Sequence, residues 1–160
     1  GMKASELEEI YQHIQLTPGV EAFLRVAQGL GMKTAIVSGG FTFFAERFRQ
    51  RLGMDLAFAN ELEIQEGVLT GGVVGPIVNA QRKATLLEEL AQKFSLTTEQ
   101  VLAVGDGAND LPMLARAGLG VAFHAKEKVR REARHLVGHG PMTTILYFLG
   151  IRGGHFHGDV

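Results

Sequence analysis

The chain has 160 residues and 46% hydrophobic content, which is enough for one domain with a buried core that needs no disulfides. Its 16 basic and 17 acidic residues give a formal charge of -1, so a small polar molecule is a better expected partner than nucleic acid or an anionic membrane. Cysteine is absent, which excludes thiolate metal sites, and no stretch approaches the roughly 20 apolar residues of a membrane span or resembles a signal peptide, so we expect a soluble, cytoplasmic protein.

The first part of the chain predicts two helices and a strand. A Ser-x-x-Glu sequence over residues 5 to 8 has the spacing of a capping box and predicts a helix over about residues 5 to 14. A Thr-Pro pair at residues 17 and 18 is typical of a helix start and predicts a second helix that runs to Gly31. The apolar run MKTAIV over residues 32 to 37 then predicts a buried strand.

A glycine loop and a third helix follow this strand. The loop is SGG, at residues 38 to 40. Apolar residues then recur with helical spacing up to a stop at Gly53, which predicts a helix with one face in the core. These apolar residues are Phe41, Phe44, Ala45, Phe48 and Leu52.

Residues 57 to 78 change character and predict a β-hairpin. Apolar and polar residues alternate there, β-branched residues are frequent, and a Glu66-Gly67 pair marks the turn. Helical spacing returns over residues 82 to 94, and VLAVG over residues 101 to 105 predicts a second buried strand. The remaining predicted elements are a helix that ends at Gly118, the strands LGVAF and HLVGH, and a charged helix between them over residues 125 to 134.

This order of elements predicts an α/β fold of the Rossmann-like kind. Strands that alternate with helices form a mainly parallel sheet with helices on both faces, and here a hairpin is inserted between the α/β units. Ligands of such sheets bind at the carboxyl ends of the strands. Polar residues that directly follow a strand are therefore the first candidates for a site.

Three such polar features are expected on one rim of the sheet. Asp106 comes directly after the second buried strand and Asp110 about one helical turn later, so the two carboxylates repel unless a cation lies between or beside them. Oxygen ligands without cysteine favour Mg²⁺. Ser38 offers a hydroxyl beside glycine backbone N–H groups, and Lys83 offers a point charge, which together suit a phosphate.

Each of these features has a simpler structural interpretation when it is taken singly. The SGG sequence fits a plain turn from strand to helix, and Lys83 fits a solvated lysine. Asp106 and Asp110 fit helix-capping residues, because an aspartate near a helix N-terminus stabilises the helix. The order and combination of the features favour the functional interpretation.

This combination resembles the haloacid dehalogenase superfamily, and within it most closely the phosphoserine phosphatases. The segment VSGGFTFFAE, which contains Ser38, resembles the second motif of that family, and AQRKATLLEEL, which contains Lys83, resembles the third. The segment VGDGANDLPMLARAGLGVAFHAK, which contains Asp106, Asn109 and Asp110, resembles the fourth. The likeness extends from about residue 5 to residue 150 and includes the hairpin.

The resemblance implies a role for each matching residue. Asp106 would ligate Mg²⁺, and Asp110 would support the metal through its water shell; with Lys83 they form the catalytic set. Ser38 and Lys83 would hold the transferring phosphoryl group, and the two glycines would lie against the serine part of the substrate. The residues implied in substrate or phosphate binding are Ser38, Gly39, Gly40, Lys83 and Asn109.

One motif of the family has no counterpart in this chain. The family's Asp-x-Asp-x-Thr/Val motif supplies the aspartate that becomes phosphorylated and the aspartate that acts as general acid and base. The chain has only four aspartates, at positions 55, 106, 110 and 159, and none has a second aspartate two residues on. The resemblance places this motif, and most of the cap domain, upstream of residue 1, on a strand between MKTAIV and VLAVG. We therefore expect a fragment with two open sheet edges.

The function expected from this resemblance is that of the C-terminal part of a Mg²⁺-dependent phosphoserine phosphatase. It would hydrolyse O-phosphoserine, the last step of serine biosynthesis, through an aspartyl-phosphate on an aspartate outside this chain. The chain alone is expected to be inactive, and its expected partner is the N-terminal segment or a swapped copy, with a homodimer left open. The alternatives are a phosphatase for another small phosphomonoester and a non-catalytic module that binds phosphate or metal.

Residues 1 to 150 are thus expected to form a partial catalytic core and residues 151 to 160 a flexible tail. His155 and His157 in the tail have metal-like spacing, but a glycine-rich end has no preformed site. His124 is expected to be a loop residue.

Overall fold

The structure is a computed structural model that describes residues 1 to 152, and it confirms the predicted α/β architecture. The helices are α1 (Glu6–His13), α2 (Val20–Gly29), α3 (Thr42–Leu52), α4 (Ala80–Lys93), α5 (Leu111–Arg116) and α6 (Glu127–Glu132). The strands are β1 (Ala35–Phe41), β2 (Leu56–Gln65), β3 (Val68–Val74), β4 (Leu102–Gly105), β5 (Leu119–Phe123) and β6 (His135–Val137). Short 3₁₀ helices lie at Thr98–Gln100, Ala108–Asp110 and Met142–Leu149.

The chain divides into two compact units, and each has its own sheet. The first unit contains residues 1 to 17 and 24 to 78, and its strand order is β1-β2-β3. The second contains residues 18 to 23 and the chain from residue 79 onward, and its strand order is β4-β5-β6. All strand pairs are parallel except β2 with β3.

The predicted hairpin in the first unit is formed by β2 and β3. Its turn is Glu66-Gly67, where both residues have positive φ angles, of 49° and 78°. Two successive residues with positive φ are the mark of the tight turn that suits the twist of a hairpin, and glycine adopts this conformation without strain. β2 also pairs with β1, so the hairpin continues the parallel part of the sheet.

The second unit is built around a small apolar core between its helices and its sheet. Close approach of α5 to β5 depends on Gly120, because a Cβ atom there would lie 2.1 Å from the carbonyl oxygen of Leu114. Because β4 and β5 are parallel, their carboxyl ends lie at the same end of this sheet. The buried residues of this core are Ala84, Leu87, Ala103, Met113, Leu114, Ala122 and Val129.

Two strands each have an open edge within their own unit. Among residues 1 to 152, β1 pairs only with β2, and β4 pairs only with β5. Backbone N–H and C=O groups along such an edge are able to pair with a further strand. Open edges were expected beside these two strands, while the existence of a strand outside this chain stays a prediction.

Three predicted details differ from the structure. Ser5 does not cap α1, because its backbone is already helical and its side chain makes no capping hydrogen bond; the Glu6 carboxylate instead accepts the Lys3 N–H at 2.7 Å. α2 begins at Val20 because Gly19 interrupts the chain with a φ of 82°. The SGG sequence lies inside β1, which begins three residues later than predicted.

The predicted tail at residues 151 to 160, with His155 and His157, falls mostly outside the described residues. None of the helices described over residues 1 to 152 has the length and apolar character needed to cross a bilayer.

Candidate active site

The turn after β4 is shaped by the carboxylate of Asp110. Its Oδ2 accepts the backbone N–H of Asp106 at 3.0 Å and the backbone N–H of Gly107 at 3.1 Å. Asp110 is 6% exposed, whereas Asp106 is exposed. Asp110 therefore caps the 3₁₀ helix Ala108–Asp110 through the N–H of Gly107, but its side chain makes no capping hydrogen bond to α5.

The other carboxylate oxygen of Asp110 binds Lys83. The Lys83 Nζ lies 2.7 Å from Asp110 Oδ1, and both residues are only 6% exposed. α4 presents Lys83 in its first turn, which is fixed by Asn79, whose side chain accepts the N–H of Arg82 at 2.9 Å. The simple interpretation of Lys83 as a solvated lysine is therefore wrong. The cation beside Asp110 is the ammonium group of Lys83. The two carboxylate oxygens of Asp110 thus accept three N–H donors, from Lys83 and from the backbone of Asp106 and Gly107.

The carboxylate of Asp106 has a different environment from that of Asp110. The Asp106 carboxylate makes no ion pair or hydrogen bond with any residue between 1 and 152, while the backbone of Asp106 is held on both sides. The N–H donates to Asp110, and the carbonyl accepts the N–H of Lys126 at 3.3 Å. A carboxylate that is exposed, unpaired and carried on a fixed backbone is available to a ligand.

The two glycines around Asp106 make room for this arrangement. A Cβ atom on Gly105 would lie 2.5 Å from the Cβ and 2.7 Å from the Oδ2 of Asp110. A Cβ atom on Gly107 would lie 2.8 Å from the Oδ1 of Asn109, which is itself exposed. The GDGAND sequence thus packs a buried carboxylate against a bare backbone and leaves the side chains of Asp106 and Asn109 facing outward.

His124 lies at the end of the neighbouring strand β5. It follows the strand directly, as predicted for a loop residue, and its φ of 46° is rare for a residue other than glycine. Its ring stacks on that of Phe123, with 4.0 Å between the centroids. Because β4 and β5 are parallel, His124 and Asp106 both lie at the carboxyl end of this sheet.

In the first unit, the Ser38-Gly39-Gly40 segment forms an irregularity within β1. From Val37 to Phe41 the register against β2 advances only from Phe58 to Asn60, so the SGG segment is out of regular pairing. The N–H of Gly40 donates to the Oγ of Ser38 at 2.9 Å. The expectation that both glycine N–H groups are free for an anion is therefore wrong for Gly40.

Asn60 contacts the Ser38-Gly39-Gly40 segment, and this contact was not predicted from the sequence. It is 7% exposed, and its Nδ2 donates to the carbonyl of Gly39 at 2.8 Å. Its Oδ1 accepts the N–H of Val78 at 2.7 Å. The available signal was the asparagine that ends the run LAFAN, because a polar residue in a buried strand needs hydrogen-bond partners.

One side chain of the site, that of Asp106, has oxygen atoms that suit a hard metal ion. Asp106 offers free carboxylate oxygens, the ligand type that Mg²⁺ prefers. Within the described part of the chain, no three His, Asp or Glu side chains are grouped so as to hold a metal. Within residues 1 to 152, Asp106 is thus the candidate ligand for such an ion, and Asp110 fixes the turn that carries it. Lys83, Asp106, Asn109 and Asp110 belong to the second unit, and Ser38, Gly39 and Gly40 to the first.

Comparison with known proteins identifies similar sequences and folds. The family model described as haloacid dehalogenase-like hydrolase matches residues 1 to 115. A phosphoserine phosphatase of Archaeoglobus fulgidus is 49% identical over 130 residues, which cover 81% of this chain and 38% of that protein. One of Streptomyces coelicolor is 45% identical over 151 residues, which cover 94% of this chain and 37% of that protein.

A solved structure described as a phospho-aspartyl intermediate analogue of phosphoserine phosphatase superposes with a TM-score of 0.87 at 34% identity. The match covers 92% of this chain and 70% of that one. The chain spans less than two fifths of the length of the two curated relatives.

Proposed function

Because this chain belongs to the haloacid dehalogenase-like hydrolase family, we propose that it is the C-terminal part of a phosphatase that hydrolyses O-phosphoserine to serine and phosphate. The observation that carries the proposal is the buried Lys83–Asp110 pair, which orders the turn and leaves the Asp106 carboxylate unpaired beside it. The similar proteins described above are phosphoserine phosphatases, which supports this substrate. The reaction would be the last step of serine biosynthesis, in the cytoplasm.

The site would use Mg²⁺, held by the carboxylate of Asp106. When bound, the metal would neutralise charge on the phosphoryl group and on the attacking carboxylate. Asp110 would contribute by fixing the backbone of Asp106 and Gly107, because its own oxygens already accept three N–H groups. This role places Asp110 behind the metal ligand.

The phosphoryl group would be bound by hydrogen-bond donors of the candidate residues. Lys83 uses one of its three N–H groups on Asp110, so two remain for phosphate oxygens. Ser38 would donate its hydroxyl proton, and Asn109 would offer its exposed amide. Phosphoryl transfer depends chiefly on such positioning and charge stabilisation.

The nucleophile would be an aspartate that precedes residue 1 in the complete protein. None of the four aspartates of the chain lies in an Asp-x-Asp sequence. A similar solved structure is described as a phospho-aspartyl intermediate analogue, which supports an aspartyl-phosphate here as well. We expect the isolated chain to be inactive and to require its N-terminal segment or a swapped copy.

The test is phosphate release by the protein expressed from its complete reading frame, against a panel of phosphomonoesters. We expect phosphoserine to be the best substrate and activity to require Mg²⁺. Weak activity on phosphoserine with strong activity on another ester would replace the proposed substrate. An inactive complete protein without an upstream Asp-x-Asp motif would indicate a binding module and overturn the enzymatic proposal.

Asp106→Asn in this complete protein tests the metal ligand. Loss of several kcal/mol of charge stabilisation predicts a fall in kcat of about a hundredfold or more. The fold should persist, because the Asp106 side chain makes no hydrogen bond or ion pair with residues 1 to 152. Asp55→Ala is the control for a general effect of losing an aspartate. Asp55 lies in the first unit, where it accepts the N–H of Thr34 just before β1. Retained Mg²⁺-dependent turnover in Asp106→Asn would remove Asp106 from the metal site.

A further inference from the structure

The peptide unit between Gly39 and Gly40 is hydrogen-bonded on both sides. Its carbonyl accepts from Asn60 Nδ2 at 2.8 Å, and its N–H donates to Ser38 Oγ at 2.9 Å. The C=O and N–H belong to one planar group, so a rotation that moves the carbonyl also moves the N–H. The orientation of Asn60 is therefore transmitted to the hydroxyl oxygen of Ser38.

Asn60 has only one amide orientation that satisfies its neighbours. Its Nδ2 faces the Gly39 carbonyl, and its Oδ1 faces the N–H of Val78 at 2.7 Å. A flipped amide would set oxygen against oxygen and N–H against N–H, and the side chain is too buried, at 7% exposure, for water to compensate. Two separate stretches of backbone thus lock this side chain.

The hydrogen bond from Gly40 determines what the Ser38 hydroxyl can do. A serine hydroxyl has one proton to donate and two lone pairs. Here the N–H of Gly40 engages one lone pair, so the proton points away from the glycine backbone. No residue of the described chain accepts this proton, and Ser38 is half-buried. The hydroxyl is therefore held as a donor toward an external acceptor, and the N–H that it accepts polarises it further.

We propose that Asn60 is a positioning residue for phosphate, which acts through the Gly39–Gly40 peptide to hold Ser38 as a hydrogen-bond donor. The inference rests on the proposed function, since it specifies how one group of that site is oriented. It assigns no contact between Asn60 and the substrate. Without the Asn60 donor, the glycine peptide is free to rotate, and the Ser38 proton loses its fixed direction.

A purely structural role for Asn60 makes a different prediction. Asn60 also ties Val78, at the end of the hairpin segment, to β2, so its loss destabilises the first unit in either case. If that were its whole role, the loss would not depend on Ser38. Coupling between positions 60 and 38 in phosphate affinity therefore separates the two roles.

The experiment is a double-mutant cycle with Asn60→Asp and Ser38→Ala in the protein from the complete reading frame. Asp at position 60 keeps an acceptor for Val78 and replaces the donor to Gly39 by an acceptor. Affinity for inorganic phosphate in the presence of Mg²⁺ is measured by calorimetry, and thermal stability is measured in parallel. If Asn60→Asp does not fold, the uncharged Asn60→Ser takes its place in the same cycle.

We expect Asn60→Asp to weaken phosphate about fivefold when Ser38 is present and less than about twofold when it is alanine. Asp55→Ala is the matched control, because Asp55 binds the Thr34 N–H at 2.8 Å at the opposite end of β1. This control should lower stability and leave phosphate affinity unchanged. Equal losses with and without Ser38, or no loss at all, would overturn the inference.

The outcome for Asn60 is separate from the outcome for the substrate. Phosphoserine turnover by the unmodified protein judges the proposed function, whereas the cycle uses inorganic phosphate alone. A protein that hydrolyses another phosphomonoester and shows the coupling supports the inference and refutes the proposed substrate. A protein that binds no phosphate overturns the inference, and phosphoserine turnover still judges the proposed function by itself.

Discussion

Loss of the Lys83 ammonium should be the most informative single change in the second unit. Lys83→Met removes the charge, keeps a long apolar side chain, and leaves the Asp110 carboxylate buried without its cation. Asp110 retains two donors after this change, the N–H groups of Asp106 and Gly107. Asp110→Ala is the reciprocal change, and it leaves the ammonium with no partner from residues 1 to 152 and the two N–H groups without their acceptor.

The expected magnitudes follow from burial. Removal of one member of a buried ion pair costs about 3–5 kcal/mol, and both residues here are 6% exposed. Lys83→Met should cost about 3 kcal/mol in the free energy of unfolding, since backbone donors still compensate Asp110, and Asp110→Ala should cost about 5 kcal/mol. With a urea dependence of about 1–3 kcal/mol per molar, Lys83→Met should lower the urea midpoint by at least about 1 M.

The assay is urea unfolding followed by far-ultraviolet circular dichroism, because the chain has no tryptophan to report by fluorescence. Arg82→Met is the matched control on the same helix. Arg82 pairs with Glu89 at 2.8 Å, but their side chains are 34% and 52% exposed, so the loss should stay below about 1 kcal/mol. The double variant Lys83→Met/Asp110→Ala should cost less than the sum of its parts. Equal midpoint shifts for Lys83→Met and Arg82→Met, or additive losses in the double variant, would refute this reasoning.

Two further predictions concern Gly105 and Asp55. Gly105→Ala places a Cβ atom 2.5 Å from that of Asp110 and should cost about 1–3 kcal/mol in urea unfolding. The control is Gly29→Ala in α2, where an added Cβ atom meets nothing within 4 Å and the change should be neutral or stabilising. Equal effects of the two changes would contradict the packing argument. The backbone hydrogen bond from Thr34 lowers the pKa of Asp55, so its contribution to stability is present above the unfolded pKa of about 3.9 and is lost as the pH falls through the lower folded pKa. Asp55→Asn should therefore flatten the acid side of the stability curve below about pH 4 in thermal melts, and an unchanged acid side would show that Asp55 contributes nothing there.

Local patterns were sufficient to predict most of the elements. The apolar stripe that stops at Gly53 corresponds to α3, and Gly53 takes the left-handed conformation, with a φ of 64°, that ends a helix. The Glu66-Gly67 turn was likewise visible, because the conformation there depends on the two residues themselves. These features need no partner from elsewhere in the chain.

The missed features depend on residues distant in sequence. β1 continues through Ser38 to Phe41 because Phe41 still finds a partner in Asn60, and the composition of SGG alone favours a loop. Lys83 was predicted to bind phosphate, but its neutralising partner lies 27 residues away. Spacing identified the candidate residues, whereas the environment that gives each its role came from tertiary packing.

The two aspartates of GDGAND show why spacing was insufficient. Both are the same residue type on one turn, yet the buried carboxylate of Asp110 accepts three N–H donors, whereas the exposed carboxylate of Asp106 accepts none from residues 1 to 152. The first unit repeats this arrangement, where the buried amide of Asn60 holds the glycine backbone beside Ser38. In each unit a buried polar side chain fixes the backbone next to a more accessible polar group. Changes at the buried members should therefore alter both stability and ligand affinity, while changes at Asp106 and Ser38 should alter chiefly affinity.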